Sequence, residues 1–379
     1  MSTEFVIRNV AAVLADEVRR ADILVRDGVI VSIDAPGGGP GEDFGGDILI
    51  PGLVELHTDH LETHYAPRPS VRWNPMAAVQ AHDAQMAASG VTTVFDALRV
   101  GMDEDVTLDS GDMRVLADAI LAGMADGHLR ADHYLHLRCE VSSSDVMEAF
   151  ALFEDNPRVR LASLMDHTPG QRQFTSLDAY RVYYQGKSGM TDEAFADFVR
   201  RRQERGALGS DGVRQELSRR CLDRGIVLAS HDDALDTHVA EAQALGIAIA
   251  EFPTTREAAE ASRAAGMTIM MGAPNLVRGG SHSGNVSARD LAARGLLDAE
   301  SSDYIPFSLI QAAFVTAATV EGFGLPRAIA LVTSTPARAA GFADRGTIAP
   351  GLRADLVRVA VRNGMPVVRG VWREGTRVA

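Results

Sequence analysis

At 379 residues the chain has room for one large domain, or a large and a small one, around a full hydrophobic core. Apolar residues make up 46% and charged residues 23%, an ordinary globular balance, and a net charge of −14 without a dense basic cluster excludes a nucleic-acid groove. Cys139 and Cys221 are too few for a disulfide framework, no apolar run is long enough to span a membrane, and no secretory pattern opens the chain; a cytoplasmic protein is expected.

Residues 5–10 and 21–33 alternate apolar and polar side chains around Asp27-Gly28, the pattern of antiparallel strands joined by a tight turn. Residues 36–41, rich in Gly and Pro, form a loop. Strand-like runs then fall at 50–57, 91–98, 133–141, 159–167, 226–231, 247–253, 268–275 and 301–305. Between them lie stretches rich in Ala, Leu, Glu and Arg, such as 190–218 and 232–245, which read as helices. Residues 351–359 and 366–372 read as strands again.

The expected fold class is therefore α/β, with a closed (β/α)8 barrel of TIM type favoured over an open doubly wound sheet. The barrel spans 51–344, and residues 1–50 and 345–379 combine into a small composite β domain. Nucleotide-binding folds lack support, because no Gly-x-Gly-x-x-Gly follows an early strand and no Walker-type lysine loop occurs.

Chemistry collects where the runs end. His57 closes the first, Glu140 lies near the end of the third, His167 closes the fourth, His231 closes the fifth, and Asp303 lies at the eighth. One histidine at a strand end is more often a packed structural residue than a ligand. Three with two carboxylates on one barrel rim point to a metal site. Imidazole and carboxylate without cysteine suit Zn²⁺, Mn²⁺ or Fe²⁺, and the donors suffice for two ions.

Two loops could hold an anion. Arg172 and Gln173 follow a Pro-Gly turn, and Arg278 precedes Gly279-Gly280-Ser281-His282-Ser283-Gly284-Asn285. Glycines there let backbone N–H groups approach a ligand, although such a loop is structurally more often a plain connection. Arg68 either contacts an anion or braces its Pro-Arg-Pro loop. His82 and His238 read as structural or surface residues, and His133 and His136 as packing positions. Glu62 reads as a group that orients a ligand histidine.

With Ile50-Pro51-Gly52-Leu53, the strand-end histidines, the late Asp303 and the closing phrase 345–357, the chain resembles the amidohydrolase superfamily over essentially its whole length. The longer phrases 57–62, 165–174, 230–233, 272–275 with 278–285, and 302–304 are similar to those of its phosphonate-metabolism members. The resemblance implies a TIM-type barrel with a small β-sandwich domain built from both termini. It implies metal ligation by His57, Asp59, Glu140, His167, His231 and Asp303, with Asp303 also the general base. The cofactor implied is two divalent ions, zinc with manganese or iron as alternatives.

Two departures narrow the family. Asp59 stands where a second histidine is usual, with His60 competing for that role. The lysine that bridges the metals in many members has no counterpart, because the only lysine, Lys187, sits in a Gly-rich loop; Glu140 would bridge instead. The activity implied is cleavage of the α–β phosphoanhydride of α-D-ribose 1-methylphosphonate 5-triphosphate, with diphosphate released, ahead of carbon–phosphorus cleavage. Arg172, Arg278 and Lys187 would neutralise the polyphosphate, and Arg68, Gln173, Ser281, His282 and Asn285 complete the substrate contacts. The partner expected is that small molecule, with no nucleic acid and no membrane; a homodimer stays open. The rivals are a cyclic amidohydrolase or deaminase, and a non-catalytic barrel serving as scaffold in a phosphonate-degrading assembly.

Overall fold

The computed structural model describes residues 4–34, 40–101, 108–169, 172, 181, 190–207, 210–281 and 284–379. Gln173, Lys187 and His282 lie outside the described residues. The chain opens with β1 (Glu4–Val13), β2 (Val18–Arg26), β3 (Val29–Ile33), β4 (Gly41–Asp43) and β5 (Ile48–Pro51). There follow β6 (Leu53–Thr58), β7 (Val91–Val100), β8 (Asp132–Glu140), β9 (Val159–Met165), β10 (Val227–His231), β11 (Ile249–Glu251), β12 (Thr268–Gly272) and β13 (Ala299–Ser301). The chain ends in β14 (Leu356–Arg362), β15 (Met365–Arg373) and β16 (Thr376–Arg377).

The outer strands form one mixed sheet of eight, in the order β16-β15-β14-β5-β1-β2-β3 with β4 beside β1. The turn between β2 and β3 is Asp27-Gly28, where both residues take positive φ (50° and 80°), as a two-residue hairpin requires. The N- and C-terminal segments meet where β5 pairs antiparallel with β14. The apolar face of this sheet is filled by Ile23, Phe44, Leu49, Ile348 and Trp372.

The inner eight strands are parallel throughout and run in order from β6 to β13. The ring closes just past β13, where Thr58 bridges to Asp303 in parallel sense. Val54, Leu56, Phe95, Leu161, Ile249 and Met270 form an interior cluster contributed by strands from around the ring. Side chains filling the interior in this way make such a barrel a solid core.

Two expected strands are corrected. The run 50–57 is not one strand: Ile48–Pro51 belongs to the outer sheet and Leu53–Thr58 to the barrel. Gly52 is the joint, because a Cβ there would run into the Thr92 side chain. The eighth strand is Ala299–Ser301 rather than 301–305, so Asp303 lies beyond its end. A buried glutamate, Glu300, interrupts the apolar pattern that would have announced it.

Two helices flank the first corner of the rim. The segment after β6 turns at once into α1 (Leu61–Tyr65). Asn74-Pro75 then starts α2 (Pro75–Ala88), the Asn74 side chain accepting from Ala77 N–H at 3.0 Å and Pro75 at the first helical position. The buried face of α2 carries His82 and Asp83 beside Val79 and Met86. No helix among the described residues is long and apolar enough to cross a membrane.

Candidate metal centre at the barrel rim

His57 and His231 come from β6 and β10, on opposite sides of the ring, yet their rings meet 5.8 Å apart between centroids and are organised by a carboxylate that the sequence pattern did not single out. Glu251, the last residue of β11, accepts from His57 Nδ1 at 2.7 Å and from His231 Nδ1 at 2.6 Å. Ser163 donates to the same carboxylate at 2.7 Å. Because an ionised carboxylate only accepts, both histidines carry their proton on Nδ1 and keep the Nε2 lone pair for another partner.

Burial alone would raise the Glu251 carboxyl; the charges of His57 and His136 and the bonds from His231 and His57 outweigh it and hold it well below the usual range. Burial would lower His57, but the Glu251 charge and hydrogen bond prevail and raise it.

His167 forms the next corner. Its Nδ1 donates to Glu140 Oε2 at 2.5 Å, while Glu140 Oε1 accepts from His167 N–H at 3.1 Å and from Ser142 at 2.6 Å. Glu140 thus grips His167 in this arrangement. Its carboxyl is lowered, burial being outweighed by the His167 charge and the bonds it accepts. His167, His231 and Asp232 bring ligand atoms within 4.8 Å of one another. Asp232 Oδ2 has no hydrogen-bond partner among the described residues, and burial raises this carboxyl.

Asp59 and Asp303 close the ring. Asp303 N–H donates to His57 O at 3.1 Å, and Arg138 donates to Asp59 Oδ2 at 3.1 Å. Burial would raise Asp59, but Arg138 overrides it and keeps the carboxyl low. For Asp303 the balance goes the other way: burial, then the Asp59 charge, push it up to about 6. The two carboxylates therefore differ in proton affinity, the condition for dividing ligand and base roles.

Asp232, Phe252 and Asp303 all take positive φ (57°, 55° and 54°). Such strain in non-glycine residues is characteristic of functional sites. Beside them opens a cleft of about 100 Å³ lined by Asp232, Asp303, Asn275, Arg278, Ser281 and Asn285, among others. The loop that the sequence marked for anion contacts thus shares a cleft with Asp303.

Other expectations are corrected. Arg172 binds Asp233 and, at 2.9 Å, Glu241, and lines a separate cleft of about 450 Å³ with Arg214; it is an ion-pair residue, its charge already matched. Arg68 is exposed in the turn after α1. Glu62 does not orient a histidine: it takes two bonds from Arg99, at 2.9 and 2.7 Å. His60 sits among the rings of His64 and His82, 5.2 and 6.3 Å away between centroids.

His136 is not mere packing. It donates from Nδ1 to Leu56 O at 2.8 Å and meets Ser163 at 2.5 Å, and burial pushes it down to about 3. Sequence reasoning missed Glu251, Asp232, Arg138 and His136. The available signal for Glu251 was its position, a carboxylate ending the sixth strand; Asp232 adjoins His231.

The donors fit a divalent metal. Three histidines held through Nδ1, each with Nε2 uncommitted to Glu251 or Glu140, face carboxylates in a buried rim built without a thiol ligand. Buried His/Asp clusters of this kind are what metal centres of hydrolases are made from.

Comparison with known proteins agrees with this geometry. Residues 145–379 match the model of the amidohydrolase family. The chain is 46% identical over 380 residues to the α-D-ribose 1-methylphosphonate 5-triphosphate diphosphatase of Escherichia coli (strain K12), covering 98% of this chain and 100% of that one. A shorter match, 31% identical over 159 residues, covering 40% of this chain and 31% of that one, is to a D-hydantoinase of Ralstonia pickettii. The crystal structure of N-isopropylammelide isopropylaminohydrolase from Burkholderia multivorans superposes with a TM-score of 0.64 at 19% identity, covering 99% of this chain and 98% of that one, and so shares the fold. With the parallel barrel, the sheet from both termini and a histidine–carboxylate rim agreeing with a match this long, the chain belongs to the amidohydrolase family.

Proposed function

We propose that the chain hydrolyses α-D-ribose 1-methylphosphonate 5-triphosphate to diphosphate and ribose 1-methylphosphonate 5-phosphate. The observation that carries this reading is the shared cleft: Arg278, Ser281 and Asn285 lie beside Asp303 and Asp232. An uncharged cyclic amide would not need an arginine there, whereas a triphosphate does, the more so on a chain of net charge −14. Full-length identity of 46% to a diphosphatase supports the same substrate.

His57, Asp59, Glu140, His167 and His231, with Asp303, would hold two divalent ions, zinc first and manganese or iron as alternatives. Such ions, when bound, lower the pKa of a water and screen the phosphate charge. Asp303 takes the proton of the attacking water. A P–O bond forms at the α-phosphorus, the α–β bridging bond breaks, and diphosphate leaves. Arg278 fixes the polyphosphate and balances charge on the leaving group; Ser281 and Asn285 add neutral donors, and Gln173, Lys187 and His282 are carried over as substrate contacts from the sequence alone.

The test is turnover of this sugar triphosphate against nucleoside triphosphates and dihydroorotate, before and after chelation. Selective, chelator-sensitive release of diphosphate from the first is expected. Turnover of dihydroorotate alone would overturn the proposal.

A further inference from the structure

β10 ends in His231, and Asp232 follows it directly. In an extended chain successive side chains leave on opposite faces, which would turn Asp232 away from the His231 ring. Asp232 instead has φ 57°, and its N–H donates to Glu251 O at 3.0 Å. The chain therefore turns left-handed at the strand end, pinned to the residue whose carboxylate holds the His231 ring. This turn brings Asp232 Oδ2 back to 3.3 Å from His231 Nε2.

The contact is not a hydrogen bond. His231 Nδ1 donates to Glu251 at 2.6 Å, so Nε2 carries a lone pair. The carboxylate oxygen facing it has no hydrogen-bond partner among the described residues, although Asp232 is only 5% exposed. A buried lone pair and a carboxylate oxygen this close repel each other unless a cation lies between them. His167 completes the group, the ligand atoms of all three residues lying within 4.8 Å of one another. Donor atoms bound tetrahedrally to one Zn²⁺ at about 2.1 Å lie about 3.4 Å apart. The His231–Asp232 pair already has that spacing.

Neighbouring carboxylates are engaged elsewhere. Glu251 accepts from His57, His231 and Ser163. Both oxygens of Glu140 accept from His167, and one also accepts from Ser142. Asp232 Oδ2, by contrast, is buried without a donor beside two ligand histidines, and Asp232 lines the cleft that holds Asp303 and Arg278.

We propose that Asp232 is a metal ligand, binding through Oδ2 the same ion as His231 and His167. The inference rests on the reading of the rim as a divalent-metal centre and is independent of which substrate is cleaved there. Two imidazoles and a carboxylate suit Zn²⁺, Mn²⁺ or Fe²⁺. The left-handed turn at Asp232 is then the feature of the backbone that presents the third donor.

The experiment strips the full chain with chelator and titrates it with Co²⁺, following visible absorption and, by competition with a chromogenic chelator, affinity. Asp232→Asn and Asp232→Gly both tolerate the left-handed backbone, so neither strains the turn. In Asp232→Gly the cobalt held by His167 and His231 is expected to bind at least roughly 100-fold more weakly, beyond the loss of a partner that only orients a ligand. Its absorption spectrum is expected to change as an oxygen donor is lost. Asp232→Asn, which keeps a neutral oxygen, is expected to fall between Asp232→Gly and wild type. Wild-type affinity and spectrum in Asp232→Gly would overturn the proposal. So would weaker binding with an unaltered spectrum, the sign of a charge acting without contact, and so would a wild type that binds no cobalt. Turnover of the sugar triphosphate is read separately: a wild type that binds cobalt as expected but leaves that substrate intact refutes the proposed reaction and leaves Asp232 a ligand.

Discussion

Glu251 accepts the Nδ1–H of His231 at 2.6 Å, across the adjacent ends of β11 and β10. The other oxygen of the same carboxylate does this for His57. One side chain therefore sets the tautomer of two rim histidines. Glu251→Gln supplies one acceptor and one donor in place of two acceptors, so one histidine loses its orienter. Ion affinity is expected to fall roughly 10–100-fold, measured by competition with a chromogenic chelator. Unchanged affinity would show that Glu251 does not orient the ligands.

Asp303 is the carboxylate pushed up to about 6, Asp59 the one held low by Arg138. Asp303→Asn keeps the shape and removes the base, so kcat is expected to fall by about 10²–10⁴. Near-normal turnover of this variant would assign proton transfer elsewhere.

Arg278 lines the cleft beside Asp303. Arg278→Ala is expected to raise KM for the triphosphate by about tenfold or more, with Arg278→Lys intermediate because a point charge replaces a bidentate fork. Steady-state kinetics decide; an unaltered KM would place the polyphosphate on another surface.

Glu300 gives a stability prediction independent of any metal. Both of its oxygens are buried and unpartnered among the described residues, and burial pushes its carboxyl up from 4.5 to about 8. Between those values the folded chain holds a proton that the unfolded chain has released. Stability therefore falls as pH rises from 4.5 towards 8 and levels off above. Glu300→Gln removes this loss and is expected to gain a few kcal/mol at pH 8 over wild type but little at pH 4.5, by urea denaturation. A pH-independent difference would contradict a proton held by buried Glu300.

The barrel was legible because most inner strands are short apolar runs, several of them ending in or followed by a polar group. His57, His167 and His231 announced the rim for the same reason. Glu251 escaped notice because β11 is only three residues long, too short to fix which residue ends it. The division at Gly52 depends on contact with Thr92 from another strand, which no local pattern records. His82 sits on a helix whose buried face also carries Ala78, Val79 and Met86, so it reads as packing until Asp96 is brought beneath it. Arg172 carries the right charge for phosphate, but its counterions come from Asp233 and Glu241, far along the chain.

Phosphorus NMR of a single reaction tests whether hydrolysis at the rim falls between the α- and β-phosphorus. With α-D-ribose 1-methylphosphonate 5-triphosphate as substrate, diphosphate and the 5-phosphate product should appear in equal amounts, with no orthophosphate. Stepwise release of orthophosphate with a 5-diphosphate intermediate, or no change in the phosphorus spectrum at all, would contradict it.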